Sequence, residues 1–124
     1  MLSFTGLIAF IPTKDAKKAR QFYEGVLGLR FVGEDQFALV LEANGMMVRV
    51  AVVGEFKPQQ FTVLGWQVSD IEKEVVGLEG QGVHFEKYGM KGQDEQGVWY
   101  SPSGAKVAWF KDPDGNVLSL TQFS

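Results

Sequence analysis

The sequence has 124 residues, of which 45% are hydrophobic, and its three Trp and ten Phe supply enough apolar material for one compact domain. Its net charge of -3 and scattered basic residues exclude the cationic stripe that a phosphate backbone requires, so we expect no nucleic-acid partner. The absence of Cys excludes disulfides and thiolate chemistry. Because neither a signal-peptide pattern nor an apolar run of membrane-spanning length is present, we expect a soluble cytoplasmic protein without a membrane partner.

The first half of the chain predicts a strand, a helix and then three strands. An apolar strand at 7–11 is followed by a helical pattern, for which Thr13 is the expected N-cap and Gly28 the expected stop. The apolar residues that recur at helical spacing are Ala16, Ala19, Phe22, Tyr23, Val26 and Leu27. A strand after Gly28 then leads to a hairpin over 37–53, with a tight turn at Asn44-Gly45.

The second half repeats this order. Asp70 follows Asp15 by 55 residues and Gly82 follows Gly28 by 54, so the two halves align almost without gaps. Ser69 and Glu72 have the spacing of a capping box at the start of the second helix. A strand is expected at Gly82-Val83-His84-Phe85, and the final hairpin, which turns at Asp114-Gly115, lies 70 residues after the first. The extra residues fall mainly in 86–104, which we interpret as a long functional loop.

Three runs carry a resemblance to a known family: Phe22–Leu29, Trp66–Ile71 and Ala108–Asn116, the last reading AWFKDPDGN. Together they resemble the vicinal oxygen chelate superfamily, which includes glyoxalases, bleomycin-resistance proteins and dioxygenases. The resemblance implies an α+β fold in which two tandem βαβββ modules form a cupped mixed sheet with helices on its outer face. We expect a single domain of this type over 1–124, with module 1 at about 1–54, a linker at about 54–60 and module 2 at about 61–124.

The resemblance also implies four metal-ligand positions on strands that face the cup. Counting from the family runs and across the repeat places them at Ile8, Arg49, Val63 and Ser119. Divalent metals in such sites need imidazole or carboxylate donors, and a shift of one residue at any position restores none. We therefore expect no metal and no other cofactor. His84 is the only His, and we interpret it as a surface residue, with a general base in the cup as the alternative.

Side chains that share the alternation of these positions are expected to face a small-molecule site. Arg49 interrupts an apolar strand, so its guanidinium needs an anionic partner, either a ligand group or an internal partner such as Glu42 or Asp35, unless it lies at a dimer interface. Trp99 and Tyr100 are expected at the mouth of the site, and Trp66 and Trp109 are further candidates for stacking walls. The predicted ligand-binding residues are Ile8, Phe10, Met47, Arg49, Phe61, Val63, Trp99, Tyr100, Ser119 and Thr121.

The favoured interpretation is a homodimeric protein that binds or sequesters a small organic compound, in the manner that the bleomycin-resistance resemblance implies. The alternatives are a glyoxalase-like or dioxygenase-type enzyme, working through Arg49, Ser119 and a Tyr or through an unexpected metal site, and an accessory module that binds a protein partner.

Overall fold

The computed structural model describes all residues from Met1 to Ser124. The chain divides into two compact units, Met1–Lys57 and Pro58–Ser124, and this division falls inside the expected linker. None of the helices has the length and apolar character needed to cross a bilayer.

The first unit contains one helix and a four-stranded sheet. Its elements are a 3₁₀ turn at Leu2–Phe4, β1 (Ile8–Thr13), α1 (Ala16–Arg20) continuing as a π-helical segment (Gln21–Val26), β2 (Arg30–Glu34), β3 (Ala38–Ala43) and β4 (Met46–Val52). The strand order is β1-β4-β3-β2. The β1–β4 pair is parallel and the other pairs are antiparallel.

The second unit has the same arrangement. Its elements are β5 (Thr62–Gln67), α2 (Ile71–Gly80), β6 (Trp99–Tyr100), β7 (Lys106–Lys111) and β8 (Val117–Gln122). The order β5-β8-β7-β6, with β5 parallel to β8, repeats that of the first sheet. The predicted α+β class with two mixed sheets is therefore confirmed.

Each sheet packs its helix against one face. In the first unit, Ala19 and Tyr23 are buried together with the β-strand residues Ile11, Leu39, Leu41, Val48 and Val50. In the second, Ile71 and Val75 of α2 are buried with Ala108, Phe110, Leu118 and Leu120. Because alternate side chains point to opposite faces, this packing leaves the other face of each sheet free of its helix.

Both helices have Asp as the N-cap, which corrects the expected caps. The carboxylate of Asp15 accepts a hydrogen bond from the Lys18 amide, and Asp70 accepts one from the Lys73 amide. Thr13 instead bonds to the backbone of Asp15 through its hydroxyl. The two caps, Asp15 and Asp70, are therefore separated by the 55 residues of the repeat. A carboxylate accepts the free amide as well as the hydroxyl of the expected Thr13 or Ser69 would.

The tight turn predicted at Asn44-Gly45 and both helix stops occur where glycine was expected, whereas the second hairpin turns through the longer loop 112–116, in which Gly115 but not Asp114 has a positive φ. Asn44 and Gly45 have φ values of 50° and 83°, which is the conformation of a type I′ hairpin turn. Gly28 and Gly82, which follow the two helices, have φ values of 77° and 92°. These positive angles are the reason that the chain has glycine there.

The edge strand of the second sheet is interrupted, which accounts for the longer second half. The strand expected at 82–85 is reduced to a single bridge from Phe85 to Phe110. The chain then leaves the sheet and returns as β6, where Trp99 pairs with Val107. The predicted loop at 86–104 thus contains a two-residue strand, and we call residues 87–98, which leave and rejoin the same edge, the excursion.

Candidate ligand-binding surfaces

The four positions implied for metal ligands lie on strands, and their side chains do not fit a metal. Ile8 and Arg49 belong to β1 and β4 of the first sheet, and Val63 and Ser119 belong to β5 and β8 of the second. No group of three or more His, Cys, Asp or Glu side chains is placed so that it could hold a metal ion. Aliphatic carbons donate no electron pair and a guanidinium repels a cation, so the donor set at these positions does not suit a divalent metal.

The face of the first sheet that does not bear the helix is apolar and open. Ile8 is 50% exposed and Phe10 64%, while the intervening strand positions on the opposite face are more enclosed. Cross-strand pairing puts Ile8 beside Met47 and Phe10 beside Arg49. The predicted residues Ile8, Phe10, Met47 and Arg49 therefore share one exposed surface, which we call the Arg49 face.

Arg49 has an internal partner, but the contact is long. Its Nη2 lies 3.6 Å from Oδ2 of Asp35, and the two side chains are 27% and 52% exposed. The other oxygen of Asp35 accepts hydrogen bonds from the amides of Phe37 and Ala38, at 2.8 and 2.9 Å. These amides are the main reason that the pKa of Asp35 is lowered, with Arg49 contributing less. Asp35 is therefore held in place independently of Arg49.

The other acid considered for Arg49 pairs elsewhere. Glu42 lies 3.3 Å from Nε of Arg30 and also accepts a hydrogen bond from the Gly45 amide. The Gly45 amide and Arg30 together lower the pKa of Glu42. Only Asp35 thus competes for the guanidinium of Arg49 within this unit.

The corresponding face of the second sheet is organised by cross-strand rows. Ser119 pairs with Gly65 on one side and Trp109 on the other, and Thr121 pairs with Gln67 and Val107. A register shift between Thr62 and Leu64 disturbs the alternation on β5. Thr62 therefore lies beside Val117, where simple alternation from Gly65 places Val63, because a bulge displaces one residue from the ladder. Phe61 lies exposed just before β5.

Three aromatic rings cluster on this face beside Ser119. The ring centre of Trp109 lies 5.5 Å from that of Tyr88 and 6.1 Å from that of Trp99. The indole of Trp99 donates a hydrogen bond to the carbonyl of Lys91 in the excursion. Burial, together with the nearby Glu86 carboxylate, raises the pKa of Tyr88, so its hydroxyl keeps its proton at neutral pH. We call Ser119, Gly65 and these rings the aromatic face.

The side chain of Gln93 makes three of the hydrogen bonds that hold the excursion carrying Tyr88. The Gln93 amide group donates to the carbonyls of Glu86 and Gly97, each at 3.0 Å, and its oxygen accepts from the Tyr88 amide at 2.8 Å. Sequence reasoning missed Gln93, since a Gln in a polar loop gives no local signal that it makes three such bonds. The ordered excursion places Tyr88 against Trp109.

Substitution of Gln93 by Glu is expected to loosen the excursion. The change keeps the shape and one acceptor but removes both donated bonds and puts a carboxylate near two carbonyls, at a cost of about 1–3 kcal/mol. Limited proteolysis and hydrogen exchange over 87–98 would measure the loosening. Gln96→Glu, at an exposed position in the same segment, is the matched control. Equal protection in the two variants would contradict the role given to Gln93.

Tyr100 lies on the other side of β6 from Trp99. Its hydroxyl donates to Glu72 of α2 at 3.1 Å, and Lys106 lies 2.9 Å from the same carboxylate oxygen. Adjacent residues of a strand face opposite ways, so Trp99 and Tyr100, which were both expected at the mouth of the site, lie on opposite sides of β6. Trp66 also faces α2, stacked 6.4 Å from Phe110, and does not belong to the aromatic face.

The Glu72–Lys106 contact predicts a pH-dependent contribution to stability. The hydrogen bond from Lys106 is the main reason that the pKa of Glu72 is lowered, so the contribution is present above the ordinary Glu pKa and is lost as pH falls through the lowered value. Because both side chains are partly exposed, Glu72→Gln is expected to cost no more than about 1 kcal/mol at neutral pH. Urea unfolding should show this difference shrinking as the pH falls below the ordinary pKa of Glu. Glu74→Gln, exposed on the same helix, should show no such trend.

His84 is exposed. It precedes the Phe85 bridge at the edge of the second sheet. The surface interpretation therefore agrees with its position in this unit.

Comparison with solved structures gives the class of fold. A member of the glyoxalase/bleomycin resistance protein/dioxygenase superfamily from Sphaerobacter thermophilus is 26% identical, with a TM-score of 0.75 over 95% of this chain and 96% of that one. A lactoylglutathione lyase from Agrobacterium tumefaciens is 14% identical, with a TM-score of 0.76 over 96% and 93%. The antibiotic-binding protein TnmS3 from Streptomyces sp. CB03234 is 21% identical, with a TM-score of 0.74 over 97% and 96%. The latter two likenesses show the fold alone.

The family follows from the sequence itself. The model of the Glyoxalase/Bleomycin resistance protein/Dioxygenase superfamily matches residues 6–120, and the chain belongs to this superfamily. No curated protein matches the sequence. The predicted family is therefore confirmed, while its members differ in whether they transform a compound or bind it.

Proposed function

We propose that this protein binds a small organic compound without a metal ion and sequesters it. The observation that carries the proposal is Arg49, a guanidinium on an exposed apolar strand face whose only acidic partner is half-exposed and 3.6 Å away. A planar guanidinium in apolar surroundings is suited to a carboxylate, phosphate or sulfonate group of a ligand. The antibiotic-binding relative supports a binding role in this superfamily.

The Arg49 face and the aromatic face have the composition of small-molecule sites. Such sites are mostly apolar, with a few polar groups that orient the ligand. On the Arg49 face, Ile8, Phe10 and Met47 accompany the guanidinium of Arg49. On the aromatic face, aromatic rings accompany the hydroxyl of Ser119. The expected contributions of Phe61, Val63, Tyr100 and Thr121 to ligand binding stay predictions, as does the homodimer.

Mass spectrometry of the native protein is the direct test of this function. Protein purified under gentle conditions is expected to carry a non-covalently bound small molecule that is released by denaturation. A library screened by thermal shift should also contain ligands that raise the melting temperature, because a ligand of the folded state stabilises it. If no compound copurifies and none in a broad library binds, the proposal is wrong.

The purified protein is also expected to contain no stoichiometric divalent metal. The four positions at which the family would hold one offer no imidazole or carboxylate, so a chelator should leave the melting temperature unchanged. Elemental analysis and melting curves with and without chelator measure this. One tightly bound Zn, Ni, Fe or Mn per chain would contradict it and would favour the enzymatic alternative.

A further inference from the structure

A nearly buried hydroxyl lies at the centre of the aromatic face. Ser119 is only 6% exposed, and its side chain forms no hydrogen bond to another protein group. No fully buried side-chain polar atom in the chain lacks a partner, so the Ser119 oxygen retains contact with solvent. A hydroxyl in this position is available to a ligand, and leaving it unpaired once solvent is displaced is unfavourable.

Gly65 keeps this hydroxyl accessible. It pairs with Ser119 across β5 and β8, and a Cβ at position 65 would lie 3.0 Å from Ser119 Oγ. The first carbon of any side chain at position 65 would therefore contact the Ser119 hydroxyl and cover it. On the opposite side of Ser119, the paired residue is Trp109, whose ring contacts those of Tyr88 and Trp99.

We propose that Ser119, Gly65 and Trp109 form a subsite for an uncharged hydrogen-bonding group, a hydroxyl or carbonyl, attached to an apolar ring that packs on Trp109. This inference rests on the proposed binding function and adds the chemistry of one part of the ligand. The Ser119 hydroxyl both donates and accepts, so it bonds to either group. A carboxylate is not favoured there, because no cation belongs to the Gly65–Ser119–Trp109 row and the ammonium of Lys111, further along β7, already pairs with Glu86 at 3.3 Å.

Two probes of equal shape test the subsite: 2-naphthol, which carries a hydroxyl, and 2-methylnaphthalene, which does not. Their binding is followed by NMR through the indole N–H signal of Trp109, assigned with Trp109→Phe. The unmodified protein is expected to bind 2-naphthol about threefold to tenfold more tightly, the range that one neutral hydrogen bond gives. Ser119→Ala should remove this preference while leaving 2-methylnaphthalene binding unchanged.

Gly65→Ala provides an independent second variant. Its methyl group would crowd Ser119 Oγ, so it should weaken 2-naphthol binding even though the hydroxyl is still present. Ser69→Ala, which removes an exposed hydroxyl outside the face, is the control and should retain the preference. The melting temperature of each variant shows whether it folds.

The inference is overturned if Ser119→Ala keeps the full preference for 2-naphthol, or if neither probe moves the Trp109 signal. The proposed function is not contradicted by these results if a copurifying or library compound still binds elsewhere on the chain. If no compound of any class binds, the proposed function fails first and the subsite fails with it.

Discussion

Replacement of Arg49 by Met is expected to weaken binding of an anionic ligand by roughly 10- to 100-fold, which is the loss of one hydrogen-bonded charge pair. The free energy of unfolding should change by less than about 1 kcal/mol, because the lost pair with Asp35 is long and half-exposed. Suitable probes are 8-anilinonaphthalene-1-sulfonate and its uncharged parent, N-phenyl-1-naphthylamine, followed by fluorescence titration. Only the sulfonate should lose affinity.

Asp35→Asn separates the two possible partners of Arg49. The Asn oxygen still accepts from the Phe37 and Ala38 amides, so the local turn is preserved while the competing charge is removed. If Arg49 binds the ligand, this variant should bind the sulfonate more tightly than the unmodified protein does. If both single variants instead lose several kcal/mol of stability and sulfonate binding is unaffected, Arg49 has a structural role only.

Replacement of Trp109 by Ala is expected to have the largest effect on the second unit. The indole contacts the rings of Tyr88 and Trp99, so its removal should destabilise the protein by about 2–4 kcal/mol and release the excursion. Urea unfolding and proteolysis within 87–98 measure the two effects. Binding of aromatic compounds to this face should be lost.

Trp66→Phe is the matched control for the aromatic face. Trp66 also stacks on an aromatic ring, Phe110, but on the side of the sheet that bears α2. The Trp66→Phe variant should have a lower free energy of unfolding but an unchanged affinity for aromatic compounds. If Trp66→Phe weakened binding as much as Trp109→Ala, the aromatic face would have been placed on the wrong side of the sheet.

The repeat was sufficient to predict most of the fold. The near-equal spacing of Asp15 with Asp70 and of Gly28 with Gly82 indicated two copies of one module, and the Asn44-Gly45 pair predicted a turn that needs positive φ angles. The family match and the two sheets confirm this interpretation. The exposed apolar face around Arg49 also followed from simple alternation along β1 and β4.

Features that depend on long-range contacts could not be predicted in this way. The register shift between Thr62 and Leu64 is decided by the pairing of β5 with β8, so alternation alone could not predict which β5 residue lies beside Val117. Nothing in the sequence separates Trp99 from Tyr100, because neighbours in a loop have no fixed relative orientation. Once the two residues form strand β6 and pair with β7, their side chains must point to opposite sides of the sheet.

The interrupted edge of the second sheet also bears on how copies of the chain can meet. An exposed edge strand offers a row of unpaired amide and carbonyl groups to which another chain can add a strand. Here β6 has two residues, and the excursion occupies the gap between them and the Phe85 bridge. Strand addition along this edge would therefore find only a short ladder of backbone hydrogen bonds.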